Sequence, residues 1–219
     1  MCCMKSEDEY ENILTEIWNK YIAPAYSNPT SKQYYVDDIA NCENDEVEYI
    51  ILCESPHTEE VEHKDHDGNP KPIPLVGNSG KSVSSFLFED NTPIGELVVN
   101  KSKIISYKLA IVNVCNIPLQ EIDQNKDYIK GLNLNYLREN CKVIKALRDD
   151  LKERITKYEN AHTIVVCGEF AKAYFKEVKN IFPNIKALYV PHPSRNHWQF
   201  IYEHKDDILT LKMLFNPNI

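Results

Sequence analysis

Four short segments hold most of the side chains able to do chemistry. The first is Cys53-Glu54-Ser55-Pro56-His57-Thr58-Glu59-Glu60. A carboxylate held partly out of water can orient and deprotonate a water molecule, and Glu54, directly after an apolar run, is the best placed; a solvated loop with scattered charge is the competing reading. The second is Pro74-Leu75-Val76-Gly77-Asn78-Ser79-Gly80-Lys81-Ser82. It has the look of a phosphate loop, but Leu75 stands where the P-loop spacing needs glycine, so a nucleoside triphosphatase is not expected. A glycine-rich turn before a helix N-terminus still suits a DNA phosphate. The third is Asn113 in Val112-Asn113-Val114, a carboxamide among apolar residues. It either bonds backbone or reads the polar edge of a base with its donor and acceptor together. The fourth is Pro191-His192-Pro193-Ser194-Arg195-Asn196-His197, where two prolines fix the backbone around a histidine. Such a ring could stabilise negative charge on a leaving group, while Ser194, Arg195 and Asn196 could contact phosphates; a proline-stiffened surface loop is the alternative. His57, His63 and His66, with Glu60 or Asp65, match no recognised metal-ligand spacing, and no metal is expected.

Elements that would position these segments are readable from the apolar pattern. Residues 49–53, 109–114, 163–167 and 186–190 are apolar runs of strand length, as expected for strands buried on both faces. Helical patterns fall at 82–88, 134–158, 170–180 and from about 198 to 214. Near the N-terminus, Ser6 and Glu9 form a capping box ahead of the stripe Ile13, Leu14, Ile17, Trp18 and Tyr21. Pro24 ends that helix, and residues 24–46 read as loop or short turns. Alternating strands and helices predict a three-layer α/β sandwich around a central, mostly parallel four-stranded sheet. The expected organisation is one domain over residues 1–219 with an acidic helical extension at about 1–46. In such sheets ligands bind beyond the carboxyl ends of the strands, which is where all but the glycine-rich turn of these segments fall.

Composition narrows the function. Hydrophobic residues make up 42% and charged residues 26%, enough for a packed core. No apolar run approaches membrane-spanning length, and residues 1–6 contain no apolar signal region, so a cytoplasmic location and no membrane partner are expected. Seven cysteines, an odd number without a C-x-x-C pair, argue against a disulfide framework or zinc finger. The net charge of −8 argues against long nonspecific nucleic-acid contacts. It is uneven: residues 1–60 hold 14 acidic and 3 basic side chains, whereas residues 61–219 hold 19 acidic and 22 basic ones. The larger part can therefore still present a locally basic groove.

Taken in order, the segments resemble the uracil-DNA glycosylase superfamily, whose pattern is a strand ending in Gly-(Glu or Gln)-x-Pro, a (Pro or Phe)-x-Val-Gly turn opening a helix, a strand bearing Asn, and a late strand ending in His-Pro-(Ser or Ala). Here these are Cys53-Glu54-Ser55-Pro56, Pro74-Leu75-Val76-Gly77, Asn113, and His192-Pro193-Ser194. Residues 165–171 look like the family's penultimate strand-to-helix turn, and the similarity runs from about residue 48 to 215. It is nearest the branch with a G-E-x-P-G first motif. The resemblance implies Glu54 and His192 as catalytic residues, handling the attacking water and the leaving base. It implies Asn113, Ser55, His57 and Leu75 around the base. Gly77, Asn78, Ser79, Lys81, Ser194, Arg195 and Asn196 would hold the DNA. Base flipping is required, because the glycosidic carbon is out of reach inside the stack.

The departures shape the expected substrate. Cys53 replaces the first glycine, Ser55 stands where the best-known branch has its catalytic aspartate, and His57 occupies the position that guards against 5-substituted pyrimidines. Leu75 replaces the stacking aromatic, forfeiting about 1–3 kcal/mol of base stacking. The expected activity is monofunctional hydrolysis of the N-glycosidic bond of a flipped-out base, uracil or a bulky 5-modified cytosine, leaving an abasic site in DNA repair or anti-phage defence. A non-catalytic nucleic-acid or nucleotide-binding module of the same fold is the alternative, and hydrolysis of free nucleosides or nucleotides a third reading. That branch carries an iron–sulfur cluster; Cys141 and Cys115 fall near ligand positions, but the N-terminal pair is missing, so no cluster and no other cofactor is expected. The protein is expected to be a monomer with DNA as its partner.

Overall fold

The computed structural model of the protein describes residues 35–116, 142–179 and 181–194, together with residues 198, 206, 210, 211 and 215. The expected N-terminal helix and its capping box, the 134–141 part of the long helical pattern, Cys2, Cys3 and Cys141 lie outside them, as do Arg195 and Asn196.

The described strands are β1 (Ile39–Ala40), β2 (Tyr49–Cys53), β3 (Leu109–Asn113), β4 (Thr163–Cys167) and β5 (Lys186–Val190), in the spatial order β1-β3-β2-β4-β5. Strands β3, β2, β4 and β5 are parallel neighbours, and β1 runs antiparallel on the β3 edge. The sheet is thus five-stranded and mixed, a correction to the four strands expected. The extra strand is two residues long, too short for an apolar alternation to reveal. Tertiary contacts hold it: the Asn41 carboxamide donates to the Tyr107 carbonyl at 2.7 Å and accepts from the Leu109 amide at 2.8 Å.

Every residue of β2, β3 and β4 is buried, because both sheet faces are covered. Alternation sends Ile50, Leu52, Val112, Ile164 and Val166 to one face, against α4 (Lys142–Thr156) through Leu151 and Ile155, and α5 (Gly168–Val178) through Phe170 and Tyr174. Tyr49, Ile51, Cys53, Ile111 and Val165 go to the other. There they meet α2 (Asn78–Phe88) through Val83 and Leu87, α3 (Ile94–Val99) through Ile94, Leu97 and Val98, and the side chains of Trp198, Leu211 and Phe215. The result is a three-layer α/β/α arrangement.

Two short helices were not anticipated: α1 (Thr58–Val61), within the polar, proline-rich stretch after β2, and α3. Each is too short to show a helical period, and both are held by burial of one face. Helix α2 starts at Asn78, four residues ahead of the expected start, because Gly77 already serves as its N-cap. Helix α5 starts at Gly168, directly off β4.

Candidate active site

Residues Cys53 and Asn113 are register partners at the ends of β2 and β3. The pairing carries on past the strands, with the Val114 amide donating to the Cys53 carbonyl at 2.9 Å and the Cys115 amide to the Glu54 carbonyl at 3.1 Å. Glu54 thus directly follows the register partner of Asn113, and both residues stand at the tips of neighbouring strands. Strand β5 delivers His192 two residues after its last residue, Val190.

These residues open onto one cleft of about 610 Å³. It is lined by Glu54, Ser55, Pro56 and His57 after β2, by Asn113, and by His192 and Ser194 after β5. Leu75, Gly77, Asn78 and Ser79 form the opposite wall and the first turn of α2, and Glu59 and Glu60 close one end. Ten of the residues anticipated around a base or its phosphates thus share a single cavity. Lys81 does not: it is exposed and lines a separate depression of about 660 Å³ beside Glu89, Asp90 and Glu96. His63 and His66 are also elsewhere, the former within 2.8 Å of the Lys71 carbonyl and the latter on an exposed turn. The carboxylates of Asp65 and Asp67 gather with His66 on that turn, where Asp65 accepts the amides of Asp67 and Asn69 at 2.9 Å each.

Asn113 is 3% exposed, and its carboxamide makes no hydrogen bond among the described residues. The carboxamide borders the cleft, where a ligand with a matching polar edge would meet it.

His192 accepts the Ser194 amide at Nδ1 across 3.2 Å, which leaves Nε2 to carry the proton of the neutral ring. Two further contacts hold this loop. The Trp198 indole donates to the Pro191 carbonyl at 2.8 Å, its ring buried and edge-on to Phe86. Gly168 packs under the loop with a φ of +85°, and a Cβ there would lie 3.2 Å from the Cβ of His192.

The opposite wall is strained. Leu75 has a φ of +55°, the left-handed region that costs a branched residue roughly 1–2 kcal/mol. Its carbonyl accepts the Gly95 amide at 3.2 Å and sits so close to Gly80 that a Cβ there would be 1.8 Å away, which explains the glycine in the first turn of α2. Its amide donates to Oε1 of Glu60, while Oε2 of the same carboxylate accepts the His57 amide at 2.7 Å. Glu60 is 7% exposed. Burial pushes its carboxyl from the ordinary 4.5 up to about 7; the two amides and His57 pull the other way, and Glu59 adds to the rise.

Sequence reasoning missed Glu60 as a member of the site, because one glutamate in an acidic run looks solvated. It missed Arg154 as well. That guanidinium donates to the carbonyls of Asn113 at 2.9 Å and Val114 at 3.1 Å while pairing with Asp38 at 2.7 Å and Asp150 at 2.8 Å. Burial opposes its charge, but the two aspartates outweigh it and hold the group firmly protonated.

No protein-family model matches the chain, and no curated protein does. Among solved structures, the chain is similar to the solution NMR structure of a candidate uracil DNA glycosylase from Methanosarcina acetivorans. The identity is 15% and the TM-score 0.49, over 84% of this chain and 97% of that one.

Proposed function

We propose that this chain is a monofunctional DNA glycosylase that takes a flipped-out base into the cleft and hydrolyses its N-glycosidic bond. The observation that carries the reading is the meeting of Glu54, Asn113 and His192 in one cavity, with Asn113 buried and unpartnered among the described residues. The Asn113 carboxamide offers a donor and an acceptor to the polar edge of a base. His192, with its proton on Nε2, donates to the base oxygen that gains charge as the bond breaks. Glu54, half-buried beside them, orients and deprotonates the water that attacks the sugar carbon. Glu59 adds negative charge to a site where the sugar becomes oxocarbenium-like. The first turn of α2, at Gly77, Asn78 and Ser79, presents backbone amides to a phosphate. No lysine lines the cleft among the described residues, so a Schiff-base lyase step has no nucleophile there. With Leu75 in place of a stacking ring, we favour a 5-modified cytosine over plain uracil, in repair or in defence against phage with modified DNA.

The test is incubation with oligonucleotides holding uracil, hypoxanthine or 5-hydroxymethylcytosine, followed by alkali. Strand breaks at one of these are expected, falling by about 10²–10⁴ in Glu54→Gln and about 10²–10³ in His192→Ala. Tight binding without abasic sites would instead identify a binding module, and base release from monomers alone a nucleoside or nucleotide hydrolase.

A further inference from the structure

We infer that Glu60 is a positioning residue whose carboxylate clasps the loop after β2 to the 74–77 turn and thereby sets the shape of the base pocket. This rests on the glycosylase reading and deepens it. The Glu60 side chain bonds both walls of the cleft: Oε2 accepts the His57 amide, Oε1 the Leu75 amide, fifteen residues further on. Its own backbone joins in, since the Glu60 carbonyl accepts the Ile73 amide at 3.2 Å. The clasp ties down Leu75, whose backbone is left-handed and which lines the cleft while packing into the core beneath it.

Both partners are N–H donors, so the clasp needs two acceptor oxygens. The ionised carboxylate supplies them. Protonation turns one of these oxygens into a hydroxyl, a much poorer acceptor, and loosens the hold on one wall. The titratable groups around Glu60 are His57 and Glu59 on its own segment, Cys53 and Glu54 at the tip of β2, and His192 across the cleft; the 74–77 turn contributes none. Burial places the midpoint near 7, so the clasp closes as the pH rises through neutrality.

Two readouts on the 219-residue chain test this. In amide NMR, the Leu75 and His57 resonances should titrate together with a midpoint near 7, and that midpoint should vanish in Glu60→Gln, which keeps the shape but has one acceptor. A midpoint unchanged in the variant overturns the clasp. In base release from the oligonucleotide that the wild type cleaves, Glu60→Gln should lower kcat/KM about tenfold above the midpoint, the scale of one hydrogen bond lost. It should match the wild type below the midpoint, where the native carboxyl has itself lost that bond. Glu60→Asp, one methylene too short to span both amides, should show the loss while keeping its charge. An equal deficit of Glu60→Gln on both sides of the midpoint overturns the positioning role. Should the wild type release no base at all, the glycosylase reading falls while the amide titration still decides the clasp.

Discussion

Arg154, behind the tip of β3, and Glu60, in the cleft, are both largely buried and are treated in opposite ways. Arg154, reaching in from α4, meets two aspartates and two backbone carbonyls, and Lys157 adds a contact to Asp38 at 3.5 Å. Its charge is matched from all sides. Glu60, which lines the cleft, accepts two backbone amides and has His57 and Glu59 as charged neighbours on its own segment. The first arrangement builds scaffold: it fixes the carbonyls that place Asn113. The second leaves a carboxylate under tension in a cavity, the condition in which proton affinity becomes adjustable. Matching charge buys rigidity, and withholding it leaves a group able to respond to its surroundings.

Removing the matched cation should have the larger effect. Arg154→Met leaves Asp38, whose side chain is 1% exposed, without its main partner. A broken buried pair of this kind costs about 3–5 kcal/mol. The variant should unfold at clearly lower denaturant concentration than the wild type. Unchanged stability would mean that the network is not the scaffold described here.

The unmatched anion should act in the other direction. The Glu60 carboxyl lies at about 7 when folded and 4.5 ordinarily, so the folded state binds its proton more tightly. Its contribution to stability is therefore greatest below 4.5, declines as the pH rises towards 7, and is level above that. The span corresponds to about 3 kcal/mol. Denaturant unfolding of wild type against Glu60→Gln across this range isolates it, since the variant lacks the titration. The stability difference should shift in favour of the variant as the pH rises; a flat difference would show that Glu60 titrates normally. Stability and pocket geometry thus pull apart at one residue: the proton steadies the fold and opens the clasp.

The same contrast separates what the sequence reveals from what it hides. Strands β2 and β4 are legible to the residue, because burial on both faces requires near-continuous apolar runs, and β5 is legible from Ala187 to Val190 although Lys186 is exposed. The residues just past them are legible as site candidates because the fold class sends ligands there. Strand β1 is not, since two residues carry no period and the Asn41 and Arg154 contacts that seat this segment come from chain more than 60 residues away. Glu60 is hidden for a related reason. Its neighbours in sequence are charged and look exposed, and only the return of the chain at residue 75 encloses it. Lys81 is the reverse case, a cation beside a glycine-rich turn that the turn of α2 carries away from the cleft to three carboxylates. Properties set by one element's own pattern are readable; those set by which elements meet are not.

Asn113 gives the smallest effect on stability and the sharpest test of whether an unsatisfied group belongs to function. Its side chain occupies the same strand tip that Arg154 fixes through the backbone, yet the carboxamide has no partner among the described residues. Replacement by leucine, of similar size, exchanges an amide that borders the cleft for apolar surface beside Cys53. A structural asparagine would lose hydrogen bonds and destabilise the fold by about 1–3 kcal/mol. An asparagine kept for a ligand should leave stability within about 1 kcal/mol of wild type, or raise it, because volume-conserving apolar swaps are tolerated. Base recognition should meanwhile fail, since a site built to pair a polar edge cannot read it with a methyl group. Thermal unfolding and oligonucleotide base release, measured on the same preparation, separate the two cases. If Asn113→Leu is markedly less stable, the carboxamide is part of the scaffold, and its contrast with Arg154 disappears.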